Sequence, residues 1–348
     1  MQPFKNFIPA FVQQLNTAVP AAITHDAYAQ QYLQTLLQHK EHYLRIYAYV
    51  LEKAFAATNS TNVALLDFGT GNGLLALFAK FCGVQQVYAS DVSASFLLAA
   101  QQLSKQLNIE LDGWIIGNED TLVKHFSNKQ LNIVVGTDVI EHVYNLNHLF
   151  DNLYSINKQM ITIFTTASVA ENWFKSKQLK KLQLKDELED SNAFQTAQEN
   201  KWAGVCFFEV RKRIIQAYHP AIAENILQQL AIRTRGLRKD DIEKAVEIYL
   251  QTKTLPVEIN HPTNTCDPIT GSWTERLLTI NEYRSIYTKY QTILLLHFGF
   301  YNAFEKSIKS KLMYLLNLAI QVFGNTALFI TPFIILEGRS QKTLSQKN

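Results

Sequence analysis

Residues Val63 to Gly73 read VALLDFGTGNG, and this stretch constrains the fold more than any other in the chain. Apolar residues lead to Asp67 and Phe68, and glycines then alternate at Gly69, Gly71 and Gly73. An apolar run with no polar alternation is the pattern of a strand buried on both faces. Here it empties into a turn whose backbone needs the freedom of glycine. The residues that follow, LLALFAKF, resume at helical spacing. Strand, glycine turn and helix in that order make the nucleotide-binding end of an α/β sheet.

The glycine spacing narrows the ligand. A dinucleotide fingerprint wants G-x-G-x-x-G, whereas here the third glycine arrives one residue early and Leu74 holds the dinucleotide position. Asp67, two residues before the first glycine, would repel a pyrophosphate and suits a ligand carrying an ammonium and a sulfonium. The pattern resembles motif I of the class I S-adenosylmethionine (SAM) dependent methyltransferases. A dinucleotide enzyme and a glycine turn with no ligand are the two other readings of the motif taken alone.

The segments beyond the turn keep the same order. Gln86 to Ser90 is a predicted strand ending at Asp91 and Val92, with a helix from Ser93 to Leu107. Further strands are predicted at Gly113 to Gly117, Leu131 to Thr137 and Met160 to Thr165. Repeated strand-helix units imply a doubly wound, Rossmann-like, mostly parallel sheet with ligands at the carboxyl ends of its strands. Asp91 lies about twenty residues past the turn, the distance at which an acid meets ribose hydroxyls. Asn118, Glu119 and Asp120 follow the third strand, where the resemblance implies adenine contacts and where a helix start would also favour such residues as caps. Over residues 62 to 166 the resemblance thus implies SAM as cofactor, held by Asp67, Gly69, Thr70, Gly71, Gly73, Asp91, Val92, Asn118, Glu119, Asp120 and Asp138.

The loop after the fourth strand reads TDVIEHVYN and contains Asp138, Glu141 and His142. It resembles the ubiquinone-biosynthesis O-methyltransferases, which carry an E-H-V or E-H-L tripeptide here. It is also similar to the small-RNA 3′-terminal 2′-O-methyltransferases, in which acid and His residues of this loop hold a divalent cation with a further His downstream. TASVAENW, after the fifth strand, has no such His, and His219 and His261 come much later, so no metal ligand is assigned. Methyl transfer to a hydroxyl requires in-line alignment and a proton acceptor. His142, with Glu141 beside it, is the expected catalytic base; the alternative is that the pair starts a helix and organises the cofactor loop. The expected reaction is O-methylation of a small-molecule, sugar or lipid-linked acceptor. Its rivals are an RNA 2′-O-methyltransferase with a divalent metal and a non-catalytic SAM-fold interaction protein.

The remaining segments are predicted to complete the fold around that core. Residues 27 to 56 read as a helix preceding the first strand, placed to cover the cofactor. From Glu171 to Pro256 the pattern is helical, with Arg211, Lys212, Arg213, Arg233, Arg235, Arg238 and Lys239 making it locally basic: a solvated face, or a surface for an acidic acceptor. HPTNTCDPITGSWTER reads as a loop, with His261, Asp267, Trp273 and Arg276 as candidate acceptor-binding residues. A helix is expected over 281 to 297, a sixth strand in GFYNAFEKSI, then a buried helix, a turn at Gly324-Asn325 and a seventh strand in TALFITPFIILEG. The resulting division is a helical lid over 1–60, a SAM-binding core over 61–168, a helical insertion with acceptor loop over 169–280, sheet completion over 281–339 and a tail over 340–348.

Composition sets bounds on partners. A net charge of +3 over 348 residues offers no electrostatic footprint for nucleic acid. Cys82, Cys206 and Cys266 are far apart and lack metal spacing, the pattern of reduced thiols in a cytoplasmic protein. MQPFKNFIPAFVQQL lacks the charged start and long apolar run of a secretory signal. The uncharged stretch Leu312 to Leu336 is long enough to span a bilayer but is interrupted by Asn317, Gln321, Gly324, Asn325, Thr326 and Pro332, so it reads as a buried helix, a turn and a strand and not as a span, with peripheral membrane contact left open.

Overall fold

The computed structural model describes residues 2–24, 26–58, 62–190, 204–303 and 308–341. In chain order the first elements are α1 (Ile8–Leu15), α2 (Ala27–Gln38), α3 (Lys40–Ala56), β1 (Ala64–Phe68), α4 (Leu74–Phe81), β2 (Gln86–Asp91), α5 (Ala94–Leu107) and β3 (Gly113–Ile116). Next come α6 (Glu119–His125), β4 (Ile133–Thr137), α7 (Leu146–Ile156), β5 (Ile161–Thr166) and helices α8 (Trp173–Leu188), α9 (Phe207–Tyr218), α10 (Glu224–Arg233) and α11 (Lys239–Thr252). The chain ends with α12 (Ile280–Lys289), β6 (Thr292–Phe298), α13 (Ile308–Phe323) and β7 (Ile334–Ser340).

Among the described residues the strands form one seven-stranded sheet in the order β3-β2-β1-β4-β5-β7-β6. β1 pairs in parallel with β2 on one side and β4 on the other, with Leu66 opposite both Tyr88 and Val134. β7 runs antiparallel to both β5 and β6. The strand order reverses between β1 and β4, so the carboxyl ends of these two strands border the crevice where such sheets bind ligands. Every β1 residue is buried, as its apolar run required. Phe11 of α1 packs on Phe78 and Phe81 of α4 at ring distances of 5.3 and 5.0 Å, which fixes the N-terminal helices to the sheet's helical layer.

The chain divides into two compact units. One comprises Met1–Ile140, Asn145–Ala167 and Ile280–Asn348 and contains the whole sheet. The other comprises Glu141–Tyr144 and Ser168–Thr279. The second has its own core, with Val210, Ile214 and Ile215 of α9 against Leu227, Leu230, Ile242 and Val246. Its α8 turns Leu179, Gln183 and Glu187 inward. The Glu187 carboxylate meets the buried Arg211 guanidinium, which also donates to the Ala231 carbonyl at 2.8 Å. All three cysteines are free and buried.

Three expectations need correction. The helix over 27 to 56 is two helices, broken at His39 by a non-helical backbone (φ −110°, ψ 25°). The sixth strand is Thr292–Phe298, not GFYNAFEKSI; the helix before it stops at Lys289, and the reversal runs through Gln291 at φ +53°. Of the expected strand, residues 299–303 are not strand and 304–307 lie outside the described residues. The helix expected to be buried near the C-terminus, α13, instead carries exposed apolar side chains, and the seventh strand starts only at Ile334 after a 3-10 turn over Gly324–Phe329.

Candidate active site

At the end of β1, Gly69, Gly71 and Gly73 all adopt left-handed backbones, with φ of +67°, +53° and +77°. The space is as restrictive as the backbone. A Cβ at Gly69 would lie 2.3 Å from Val139 Cγ2, and one at Gly73 2.8 Å from the Ala100 methyl. The turn therefore brings bare main chain to the N-terminus of α4, where the helix dipole favours a carboxylate. Two ties hold it to β2: the Thr70 amide donates to the Ser90 carbonyl at 2.9 Å, and the Gly71 amide to the Asp91 carboxylate at 2.8 Å.

Asp67 is buried beneath the turn, accepting from the Thr70 hydroxyl at 2.6 Å and the Ala76 amide at 3.2 Å. Burial pushes its carboxyl up to about 7 in spite of these bonds. Asp91 takes a second amide, from Ser93, at 2.9 Å, and burial raises its pKa as well. The Gly71 and Ser93 amides fall on different Asp91 oxygens, which leaves lone-pair capacity for ribose hydroxyls.

The third strand's end sorts its three polar residues. The Asp120 carboxylate accepts from His148 and Asn152, both at 2.8 Å, and the Asn152 bond foremost holds its pKa below the usual range. It ties α6 to α7. The Asn118 side chain makes 3.4 Å contacts with Asp120 and Thr121, and Glu119 sits in the first turn of α6. Val92 is 72% exposed and Ile116, aligned with Asp91 across the strands, is 54% exposed, an apolar pair of the kind a planar base covers. Ile116 was missed from sequence, where it read as one more strand residue.

Asn72 was also missed. It is fully buried, donates its amide to the Ala29 carbonyl at 3.0 Å, and leaves its own side-chain oxygen without a protein partner. The buried Ser90 hydroxyl is likewise unpartnered. Glycines that admit no Cβ, together with two orphaned polar atoms, one within the turn at Asn72 and one on the neighbouring strand at Ser90, fit a small polar ligand at this end of the sheet.

Aromatic residues of the preceding helices cover the same turn. Tyr32 lies 3.2 Å from where a Gly71 Cβ would be, and both Tyr32 and Tyr28 pack edge-on against Phe96. Tyr32 is 39% exposed, yet burial and then the Asp138 charge raise its phenol pKa. Accessible surface inside an enclosing wall of protein is the mark of a pocket lining. Tyr43 and Tyr47 are raised by burial too, with Asp138 contributing to both. Asp138 itself is exposed, holds φ +50° and anchors its amide on the Thr165 carbonyl at 3.1 Å.

In the other unit, Glu141 to Tyr144 are stitched to the 261–276 loop. The Trp273 amide donates to the His142 carbonyl and the Arg276 amide to the Glu141 carbonyl, both at 3.1 Å. The His142 Nδ1 meets the Trp273 carbonyl at 2.8 Å, and the Trp273 indole donates to the Tyr144 carbonyl at 3.0 Å. The Tyr144 and Trp273 rings stack at 5.8 Å, with the Arg276 guanidinium 4.0 Å over Trp273 and that of Arg238 5.0 Å over Tyr144. His142, Glu141, Trp273 and Arg276 are thus one cluster, and Tyr144 is the member sequence reasoning missed. Glu275 holds φ +55°, its carboxylate taking the Ser168 hydroxyl and its carbonyl the Gln183 amide at 3.2 Å.

The other two loop residues build the loop itself. The Asp267 carboxylate accepts from the Ile269 amide and the Thr270 hydroxyl, and His261 Nδ1 is engaged with Thr263. The insertion's basic residues are mostly paired internally: Arg211 with Glu187, Arg235 with Glu187 and Thr265, Arg238 and Lys239 with Asp241 and Glu243, Lys212 with Glu209 and Glu224. Among the described residues no group of three or more His, Cys, Asp or Glu is arranged to hold a metal ion.

Comparison with known proteins agrees with the turn's geometry. The family model of a methyltransferase domain matches residues 37–203. A ribosomal protein L11 methyltransferase of Acinetobacter baumannii (strain SDF) is 31% identical over 78 residues, 22% of this chain and 26% of that protein. The chain therefore spans about a quarter of the length of the curated relatives it matches. Among solved structures, a magnesium protoporphyrin IX methyltransferase from Synechocystis PCC 6803 with bound SAH shares 13% identity over 85% of this chain and 82% of that one, at a TM-score of 0.41. An S-adenosylmethionine-dependent methyltransferase from Listeria monocytogenes shares 10% identity over 85% of this chain and 98% of that one, at a TM-score of 0.42. The family match and the motif order agree: residues 37–203 match a methyltransferase domain, and the glycine turn with its strand-end acids lies within that stretch.

Proposed function

We propose that the protein transfers a methyl group in line to a hydroxyl oxygen of a small-molecule, sugar or lipid-linked acceptor, with His142 as the base. The cofactor supplies a methyl already activated on a sulfonium leaving group. The protein's tasks are then to align, to exclude water and to take one proton. Asp91 receives the ribose hydroxyls, the Gly69–Gly73 turn and the α4 N-terminus take the carboxylate, and Val92 with Asn118 takes the adenine. Tyr32, Tyr43 and Tyr47 line the cover over that turn.

The observation that carries the base assignment is the 2.8 Å contact between His142 Nδ1 and the Trp273 carbonyl. A carbonyl only accepts, so in the neutral ring Nδ1 holds the proton and Nε2 holds the lone pair a general base needs. His142 follows Asp138 by four residues along the chain. The internally paired arginines and lysines of the insertion support a compact acceptor over an RNA strand. The test is to incubate the protein with methyl-labelled SAM and extract, and to identify the labelled product. With that acceptor, His142→Ala should lower kcat by about 10²–10⁴ while SAM affinity holds. Full turnover by the variant removes the base role, and a product labelled on nitrogen or carbon removes the hydroxyl acceptor.

A further inference from the structure

Helix α13 presents an apolar half to solvent. Ile308, Leu312, Tyr314, Leu315, Val322 and Phe323 are all exposed, Ile308 by 88% and Val322 by 79%. At 3.6 residues per turn these positions fall within one half of the helix circumference. The other side is fixed to the fold: the Asn317 side chain pairs with both the amide and the carbonyl of Tyr301, at 2.7 and 3.0 Å, and Ile320 is buried. A contiguous exposed apolar face of this kind marks an interaction surface.

Charge indicates what covers it. From Ile308 to Leu336 the chain contains Lys309 and Lys311 and no acidic residue. Lys309 and Lys311 lie in the first turns of α13, whose first turn has no acid. That end is the positive pole of the helix dipole, so lysines there weaken the helix and serve no stabilising purpose within it. A second copy of the chain does not complement this surface either. A two-fold interface must be self-complementary, and a helix with no acid has nothing to offer its own lysines. Anionic phosphates beside an apolar phase match both features. The helix has 16 residues, about 24 Å, against about 30 Å for a bilayer's hydrocarbon core. Among the described residues no helix is long and apolar enough to cross a membrane.

We propose that α13 docks the protein on an anionic lipid bilayer, lying in the membrane plane with its apolar half inserted and its lysine end at the headgroup phosphates. The experiment is co-sedimentation of the full chain with vesicles of phosphatidylcholine alone and of phosphatidylcholine mixed with phosphatidylglycerol. The protein should bind the anionic vesicles, and more weakly as salt is raised. Leu315→Glu with Val322→Glu should reduce binding about tenfold or more at unchanged far-UV circular dichroism. Lys309→Glu with Lys311→Glu should reduce it about tenfold on anionic vesicles. Absence of binding to anionic vesicles overturns the proposal, as does wild-type binding by either double variant. So does a wild-type dimer in sedimentation velocity that Leu315→Glu with Val322→Glu makes monomeric while vesicles bind neither form.

Discussion

The Gly71 amide donates to the Asp91 carboxylate at 2.8 Å, so the glycine turn and the end of β2 are joined by a charge-assisted hydrogen bond. Asp91→Ala removes this bond, the one from Ser93, and the proposed acceptor for ribose. SAM affinity measured by calorimetry should fall about 10–100-fold, with Asp91→Asn losing less. Unchanged affinity in Asp91→Ala would take the ribose role away from this residue.

Two glycines separate backbone strain from crowding. Gly83 has φ +88° and nothing within 4 Å of an added Cβ, whereas Gly73 has φ +77° and the Ala100 methyl at 2.8 Å. Gly83→Ala should cost about 1–2 kcal/mol in urea denaturation, the left-handed penalty alone. Gly73→Ala should cost about 2–4 kcal/mol, since overlap adds to strain. Equal costs would show that α5 moves away freely.

Asp67 makes the unliganded protein sensitive to pH. Its carboxyl is raised from 3.8 to about 7, with burial the main cause. Below pH 3.8 folded and unfolded chains both hold the proton, and the group contributes nothing to the difference. As pH rises toward about 7 the unfolded chain ionises first and stability is lost, on the order of 4 kcal/mol in all. Asp67→Asn, which keeps acceptors for Thr70 and Ala76, should therefore be the more stable protein at pH 8 and lose that advantage at pH 4. Denaturation curves with identical pH slopes for the two proteins would refute this.

The buried pair in the helical unit offers a sharper contrast. Arg211→Met leaves the buried Glu187 carboxylate with the more distant Arg235 guanidinium at 3.7 Å in place of the close Arg211 pair, and should cost about 3 kcal/mol. Adding Glu187→Leu removes the under-compensated buried charge, and most of that loss should return. Additive costs in the double variant would mean that the two residues are not coupled as the geometry requires.

The five parallel strands and the residues at their carboxyl ends were legible because each obeys a local rule. Apolar runs make buried strands, alternating glycines make the turn, and acids fall at strand ends at fixed distances. What escaped depends on contacts remote in sequence. Asn72 meets Ala29 across 43 residues, and His142 meets Trp273 across 131. The end of α12 was misread because its reversal uses Gln291 at positive φ, where glycine or asparagine would have signalled a turn. His261 and Asp267 also bond within their own loop, because a Pro-, Asn- and Gly-rich loop needs polar side chains to satisfy its own amides, and sequence does not show that use. α13 was misjudged because apolar content predicts burial somewhere and says nothing of which surface does the burying.

Glu141–Tyr144 lie between β4 and α7 in the chain yet belong to the helical unit. That unit is therefore not a cassette. Excising 168–279 for expression or for grafting onto another scaffold would leave Tyr144 behind, strip Trp273 of its stacking face and its indole acceptor, and cut His142 from the carbonyl that sets its tautomer. Any exchange of this unit between relatives built this way has to carry both pieces of chain at once.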